Sequence, residues 1–312
     1  MSQNHYLPEG SLIGTPENRE TFTSVAGLER AMAAGRILEA VAVRCGRDMM
    51  LEVDLGVCRG LIPRQEIALM PPGEEVRDIA AITRVGKAVS FRIISLGKDS
   101  RGVPYALLSR REAQKECRDA FLSRLRPGDI IPGRVTHMEQ FGAFVDICCG
   151  IVSLMTIDCI SVSRIAHPRD RFQTGEFIRA AVKSVDSETG RIYVTHRELL
   201  GTWEENAARF EVGQTVAGMV RSVEEYGIFV ELAPNLAGLA EPREGVKPGQ
   251  IASVYIKNKI PDRMKLKLVM IDSYFGEQEQ KRCEYFIGED VKHLDVWRYS
   301  PAGAGKLIET VF

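Results

Sequence analysis

The segment that decides the fold is residues 128–147, GDIIPGRVTHMEQFGAFVDI, which reads as a strand, a short turn and a second strand. Two phenylalanines, Phe141 and Phe144, bracket Gly142 where the second strand begins. A shift of 85 positions finds the same frame again, at Gly213, Gly218, Val220, Tyr226, Gly227, Phe229 and Val230. Because a fixed offset over so many positions indicates an internal repeat, this hairpin defines the unit from which the chain is built.

A third and more diverged copy precedes these two. The tripeptide at 53–55 lies 92 positions before the one at 145–147, and Met49, Met50 and Leu51 replace the aromatic pair. Each copy has room for five short strands, with glycine at the bends and a third connection of variable length. This pattern is typical of a closed five-stranded barrel of the OB type. The expected fold class is mainly β: three tandem five-stranded OB-fold barrels joined by short helical linkers.

Two helix signals separate the copies. Ser109 and Glu112, and again Thr195 and Glu198, have the spacing of a capping box, which predicts a helical linker after each of the first two barrels. The predicted organisation is a flexible lead (1–23), a diverged barrel (24–110), a helical linker (111–125), a second barrel (126–195), a second helical linker (196–210), a third barrel with a short loop (211–272) and a C-terminal tail with a candidate hairpin (273–312). We expect Trp297 and Tyr299 of that tail to serve in packing, and base stacking is the alternative.

Composition limits what this chain does. Its 312 residues suit two to three domains, and a formal net charge of −1 confines any nucleic-acid binding to local patches. The seven cysteines and five histidines are scattered without the paired spacing of zinc ligands. We therefore expect no metal and no cofactor, and cysteines that act as small apolar residues. No segment is apolar enough to span a bilayer and no export signal is visible, which predicts a cytoplasmic protein.

No catalytic constellation is visible. The segment ending in Gly305 and Lys306 resembles a phosphate-binding loop only superficially, because Ser300 stands at its first glycine and Leu307 at its hydroxyl residue. Neither a nucleophile elbow nor a dinucleotide fingerprint is present. The sequence predicts a protein that is not an enzyme.

The aromatic pair instead favours binding of single-stranded nucleic acid, whose bases stack on aromatic faces while cations follow the phosphates. Strict alternation would put Phe141 and Phe144 on opposite faces of a strand. A bulge at Gly142 would turn both outward, and the alternative is that one ring packs inside the barrel.

The second barrel resembles the S1 RNA-binding domain in its Gly-x-Val, Phe-Gly-Ala-Phe-Val-Asp and Val-Asp-x-x-x-Gly-Arg-Ile segments. The resemblance is close over this barrel and most of the third, and weaker in the first. It implies a binding face of two aromatics on the second strand, a histidine on the third, and an aspartate and an arginine in the last hairpin. These positions are Phe141, Phe144, Asp186 and Arg191 here, with Thr156 at the histidine position. For Asp186, a turn aspartate is the alternative.

In the third barrel the aromatic pair is Tyr226 and Phe229, and Glu241 lies near the histidine position. The densest basic run of the chain follows, at Lys257, Lys259, Arg263, Lys265 and Lys267. Cations that alternate along a hairpin can follow a phosphate backbone. The alternative is a solvated edge strand that lysine protects from aggregation.

The first barrel lacks the aromatic pair and carries Pro63 at the histidine position, so it is a poor stacking platform. The resemblance implies that it docks on a partner, such as the small ribosomal subunit, and a structural cap is the alternative. Taken together, the sequence predicts a non-enzymatic binder of single-stranded RNA, with mRNA in translation as its ligand. Two other hypotheses stay open: an accessory RNA factor in decay or stress regulation, and a protein-interaction scaffold whose barrels have lost RNA binding.

Overall fold

The computed structural model describes residues 6–71, 73–276 and 283–312. The described residues form α1 (Pro16–Thr21), α2 (Val25–Ala33), α3 (Asp78–Ile82), α4 (Arg110–Ala120) and α5 (Trp203–Ala208). No helix among them is long and apolar enough to cross a membrane.

Three closed five-stranded barrels confirm the predicted fold class. Barrel 1 consists of β1 (Leu38–Cys45), β2 (Leu51–Asp54), β3 (Arg59–Ile62), β4 (Ala88–Lys98) and β5 (Pro104–Ser109). Barrel 2 consists of β6 (Ile130–Glu139), β7 (Gly142–Cys148), β8 (Ile151–Thr156), β9 (Phe177–Val185) and β10 (Ile192–Thr195). Barrel 3 consists of β11 (Thr215–Glu224), β12 (Gly227–Ala233), β13 (Leu236–Ala240), β14 (Ile251–Ile260) and β15 (Lys265–Tyr274).

Each barrel has the same strand order, in which the first strand pairs with the second and fourth and the third pairs with the fifth. The pairing of the third with the fifth strand is parallel and the other recorded pairings are antiparallel. Alternate residues of each strand point inward, so the core of barrel 3, for example, holds Val220, Val230, Val254 and Leu266. The opposite residues of the same strands are left facing outward.

The chain divides into two compact units. Unit 1 comprises residues 1–125, 132–134 and 146–152, and unit 2 comprises 126–131, 135–145 and 153–312. Barrel 1 lies in unit 1 and barrel 3 in unit 2, whereas the strands of barrel 2 contribute to both.

Residues 6–23, the described part of the N-terminal segment, differ from the flexible lead that composition predicts. Glu9 is buried in unit 1, where its carboxylate accepts hydrogen bonds from Arg110 Nε at 2.6 Å and from Ser90 N at 3.0 Å. Helix α1 follows, capped by the side chain of Thr15. Composition gave no sign of this order because the partner of Glu9 lies 101 positions away in the sequence.

The cysteines also differ from expectation. Cys117 on α4 and Cys148 at the end of β7 form a disulfide, with their Cα atoms 6.5 Å apart. Cys149 lies beside them, and these three buried residues are the one group of potential metal ligands in the described part of the chain. With two of the thiols joined to each other, only Cys149 is left as a ligand, and burial raises the pKa of its thiol. The group therefore does not make a metal site in this state.

The two linkers begin differently. Ser109 caps α4 as predicted, because its hydroxyl oxygen accepts a hydrogen bond from Glu112 N at 2.9 Å. Thr195 does not cap a helix: its hydroxyl donates to the Glu198 carboxylate at 2.5 Å, and a 3-10 helix follows at Arg197–Leu200. The capping box of the second linker is instead formed by Thr202 and Glu205, at the start of α5.

The C-terminal residues complete unit 2. Strand β16 (Val296–Arg298) pairs with β17 (Glu309–Val311), and Trp297 and Tyr299 pack into the core of barrel 3. The preceding segment lies along barrel 2, where the guanidinium of Arg179 donates to the carbonyls of Ile287, Gly288 and Val291. The described part of the tail thus contacts barrel 3 and the part of barrel 2 that belongs to unit 2.

Candidate nucleic-acid interface

The aromatic pair of barrel 2 lies outside the barrel. Strand β6 ends at Glu139 and β7 begins at Gly142, so Phe141 belongs to the turn between them and is 55% exposed. Phe144 is half-buried on β7, and the two rings meet edge to face with centroids 6.0 Å apart. Both rings reach the outer surface because Phe141 precedes the strand. The outward position of the two rings therefore does not require a bulge at Gly142.

Barrel 3 repeats this arrangement. Tyr226 occupies the turn before β12 and is 68% exposed, and Phe229 is half-buried on the strand. Their centroids are 6.1 Å apart, again edge to face. The sequence offset of 85 positions therefore corresponds to one geometry that occurs twice.

The glycine between the aromatics has a steric role. A Cβ atom on Gly142 would collide with the carbonyl oxygen of Met155 on β8, and one on Gly227 would collide with that of Ala240 on β13. Only glycine lets the second strand approach the third this closely. The close approach places the aromatic turn directly beside the end of the third strand.

Cross-strand pairing shows which residues share the outer surface of barrel 3. Phe229 pairs with Ser222 of β11 and with Leu239 of β13, and Leu239 pairs with Lys267 of β15. Because directly paired residues of neighbouring strands point to the same side of a sheet, these side chains form one outward row. Lys267, which belongs to the predicted basic run, therefore lies in the same outward row as the Phe229 ring.

The equivalent row of barrel 2 contains two residues that the sequence did not single out. His137 of β6 is exposed and lies nearly parallel to the Phe144 ring, with centroids 5.9 Å apart and an interplanar angle of 27°. Tyr193 of β10 pairs with Leu154 of β8, as Lys267 pairs with Leu239, and it is half-buried. Together with Phe141 and Phe144, they give this part of the outer surface of barrel 2 four rings.

A lysine occupies the bulge of the fourth strand in both barrels. The pairing register of β9 with β10 shifts between Tyr193 and Val194, and Lys183 is the extra residue of this bulge. An equivalent shift between β14 and β15 makes Lys257 the extra residue in barrel 3. Both are exposed. Lys183 Nζ lies 3.1 Å from Cys159 Sγ, an interaction that raises the pKa of Lys183.

The remaining site residues predicted in barrel 2 lie on its rim. Thr156 ends β8 and donates its hydroxyl to Cys159 Sγ at 3.3 Å. Asp186 Oδ1 accepts hydrogen bonds from the backbone N–H groups of Thr189 and Glu188, which lower the pKa of this carboxyl. Asp186 is thus used as a turn aspartate, the alternative that the sequence left open. Arg191 is exposed at the end of the same hairpin.

The predicted cations of barrel 3 are not equivalent. Lys257, Arg263 and Lys265 are exposed, and Lys265 lies two residues before Lys267 on β15. Lys259 differs, because its ammonium donates to the carbonyl of Ala207 at the end of α5 at 2.8 Å. A lysine in that position satisfies a helix C-terminus, so it is a weaker candidate for contact with a ligand.

Barrel 1 carries different side chains in this row. Glu52 stands where barrel 2 has Phe144, and it forms an ion pair with Arg44 on β1. The row continues through Leu61 and Leu107, and the bulge position holds Ile94, which is 47% exposed. This surface therefore has an ion pair and aliphatic side chains where barrels 2 and 3 carry rings and cations, which agrees with the expectation of a poor stacking platform.

Residues 124–197 match the model of the S1 RNA binding domain. The chain is 28% identical over 263 residues to small ribosomal subunit protein bS1 of Staphylococcus aureus (strain COL), covering 79% of the chain and 64% of that protein. It is 31% identical over 256 residues to a small ribosomal subunit protein bS1 homolog of Bacillus cereus, covering 81% of the chain and 63% of that protein.

Among solved structures, a multidomain protein with nucleic acid binding domains from Streptococcus pneumoniae matches 78% of this chain and 76% of its own, at 15% identity and a TM-score of 0.25. The chain spans a little under two thirds of the length of the two curated relatives. It is a tandem-barrel protein that carries an S1 domain at residues 124–197 and resembles small ribosomal subunit protein bS1 over most of its own length.

Proposed function

We propose that this chain binds single-stranded RNA on the outer surfaces of barrels 2 and 3, without catalysis. The observation that carries the proposal is the pair of outward-facing, edge-to-face rings at the same position of both barrels, Phe141 with Phe144 and Tyr226 with Phe229. Unpaired bases stack on such rings at about 1 to 3 kcal/mol each, largely without regard to sequence. Exposed cations beside the rings supply contacts to phosphate.

Each barrel contributes a defined set of contacts. In barrel 2, Arg191 contacts phosphate and Asp186 holds the hairpin that presents Arg191, while Thr156 lines the edge of the site. In barrel 3, Lys257, Arg263 and Lys265 follow the phosphate chain beside Tyr226 and Phe229. Because both barrels belong to one chain, contact at the second is intramolecular, and two weak sites combine into useful avidity.

The S1 domain match and the ribosomal relatives support mRNA as the ligand and translation as the process. The aliphatic side chains of barrel 1 around Ile94 support a separate role in docking on the small ribosomal subunit. Ile94→Lys is then expected to reduce co-sedimentation with small subunits while leaving the affinity for RNA unchanged. RNA binding without co-sedimentation of the wild type would favour an accessory RNA factor.

The test of RNA binding is fluorescence anisotropy with a short unstructured RNA. Phe144→Ala and Phe229→Ala are each expected to raise the Kd about 5-fold or more, because each removes a stacking surface. Tyr274→Ala is the matched control, since Tyr274 is 54% exposed and lies at the end of β15 away from Lys265 and Lys267. Equal affinities of all three variants for RNA would mean that the binding site lies elsewhere on the molecule. Absence of RNA binding by the wild type would favour a protein-interaction scaffold.

A further inference from the structure

The outer surfaces of barrels 2 and 3 share one backbone geometry but differ in the chemistry of equivalent positions. His137 in barrel 2 corresponds to Ser222 in barrel 3, since each stands beside the second-strand phenylalanine in the repeat. Tyr193 corresponds to Lys267, because each pairs with the leucine of the third strand. Both exchanges replace a ring of barrel 2 with a polar or cationic side chain.

The cations follow the opposite trend. An offset of 74 positions relates Lys183 to Lys257, Arg191 to Lys265 and Thr189 to Arg263, and all six residues are exposed. At these equivalent positions, barrel 2 thus presents four rings and two cations, whereas barrel 3 presents two rings and four cations, of which Arg263 and Lys267 have no cationic counterpart in barrel 2. Exposed acids do not cancel the difference, since Glu139, Asp158 and Glu188 lie near these groups in barrel 2, and Glu241 and Asp262 in barrel 3.

Rings and cations bind different parts of a nucleic acid. Stacking depends on bases and hardly on salt, whereas each phosphate that a lysine or arginine neutralises releases counterions. For a single strand, each such contact makes the slope of log K against log salt steeper by about 0.7. The composition of each surface therefore determines how the affinity of its barrel responds to salt.

We propose that the two barrels divide the recognition of one RNA strand, with barrel 2 stacking bases through His137, Phe144 and Tyr193 and barrel 3 following phosphates through Lys257, Lys265 and Lys267. This inference rests on the proposed function and specifies how its two sites differ. Barrel 2 retains the strand at high salt, and barrel 3 adds most of the salt-dependent affinity. His137 and Tyr193 are binding residues of barrel 2 in addition to the aromatic pair.

The test measures the Kd of the full chain for a labelled oligouridine of about 20 nucleotides, long enough for two barrels, across a salt series. Replacing Lys265 and Lys267 with alanine is expected to reduce the steepness of the salt slope by about 1.4. Replacing His137 and Tyr193 with alanine is expected to raise the Kd about 5-fold or more at every salt concentration without changing the slope.

Exchange variants control for general damage to the surface. Tyr193→Lys is expected to steepen the slope by about 0.7, because it adds one cation to barrel 2. Lys267→Tyr is expected to make the slope shallower by the same amount, because it removes one cation from the equivalent position of barrel 3. Tyr193→Phe keeps the ring and is expected to bind like the wild type. An abasic oligomer of the same length is expected to lose the effect of the ring variants and keep that of the lysine variants.

The outcomes separate this inference from the proposed function. If the wild type binds oligouridine but the ring and lysine variants change the salt slope equally, the division between the barrels is overturned and RNA binding stands. The same holds if the lysine variants do not change the slope. A wild-type chain that does not bind oligouridine at any salt concentration would overturn the proposed function itself.

Discussion

Gly142 is the residue on which the position of the aromatic pair in barrel 2 depends. Its lack of a side chain lets β7 approach the Met155 carbonyl, and Gly227 does the same against Ala240 in barrel 3. Phe141 then emerges from the turn next to Phe144. At this scale one small residue determines where two large ones lie.

The variant Gly142→Ala is expected to lower the free energy of unfolding of unit 2 by about 1 to 3 kcal/mol, the usual cost of forcing atoms into a packed site. The Kd for RNA should rise as well, because the strand shift displaces Phe141. Chemical denaturation and anisotropy measure the two effects. Gly305→Ala is the control, since a Cβ there meets no atom within 4 Å, and equal stability of the two variants would contradict the steric role.

Sequence reasoning found some residues of the proposed binding surface and missed others for a physical reason. The aromatic pair and the cations of barrel 3 were visible because they lie close together along the chain. His137 and Tyr193 were not, because their place beside Phe144 and Leu154 depends on strand pairing between distant segments. Lys183 was detectable, since the same offset of 74 positions that relates the fourth strands relates it to Lys257.

At the scale of elements, α4 is the linker whose attachment the sequence did not foretell. Ser109 caps it as predicted, but its Cys117 is joined to Cys148 and its Gln114 side chain donates to the Cys149 carbonyl at 3.0 Å. Cysteines 31 positions apart in the sequence carry no pairing signal of their own. Only the folded geometry of unit 1 brings them together.

The disulfide is expected to stabilise unit 1 by about 3 to 4 kcal/mol, the loop-closure entropy for a separation of 31 residues. Denaturant unfolding followed by circular dichroism should therefore show a lower midpoint for unit 1 in Cys117→Ser than in the wild type. Added reductant should lower the wild-type midpoint and leave that of the variant unchanged. Cys58→Ser is the control, because Cys58 is a free and only half-buried thiol. A reductant-insensitive wild type would contradict the prediction.

At the scale of the whole molecule, the two units contain buried groups with opposite responses to pH. In unit 1, burial raises the pKa of Glu39 to about 7, although Leu12 N and Ser90 Oγ donate hydrogen bonds to it. In unit 2, burial lowers the pKa of His196 to about 4. Neutral His196 donates from Nδ1 to the Ile160 carbonyl and accepts at Nε2 from the Tyr285 hydroxyl, which ties the tail to barrel 2.

The signs follow from proton uptake. Folded Glu39 keeps its proton between pH 4.5 and 7 while the unfolded chain loses it, so this contribution to the stability of unit 1 is lost as pH rises through that window. Unfolded His196 takes up a proton between pH 6.5 and 4 while the folded residue does not. Its contribution to unit 2 is therefore present above pH 6.5 and lost as pH falls toward 4.

Unit 2 is accordingly expected to lose up to about 3 kcal/mol of stability between pH 6.5 and 4 through His196, while unit 1 gains over a similar range through Glu39. Both tryptophans, Trp203 and Trp297, lie in unit 2, so tryptophan fluorescence follows that unit alone and circular dichroism follows both. His196→Gln should flatten the fluorescence midpoint against pH. Glu39→Gln should reduce the pH dependence of the second transition, seen only by circular dichroism, without abolishing it, because burial also raises the pKa of Asp146 in unit 1 to about 7. If the unfolding midpoints of both units fall together on acidification, in the wild type and the variants alike, these two buried groups do not control the pH response.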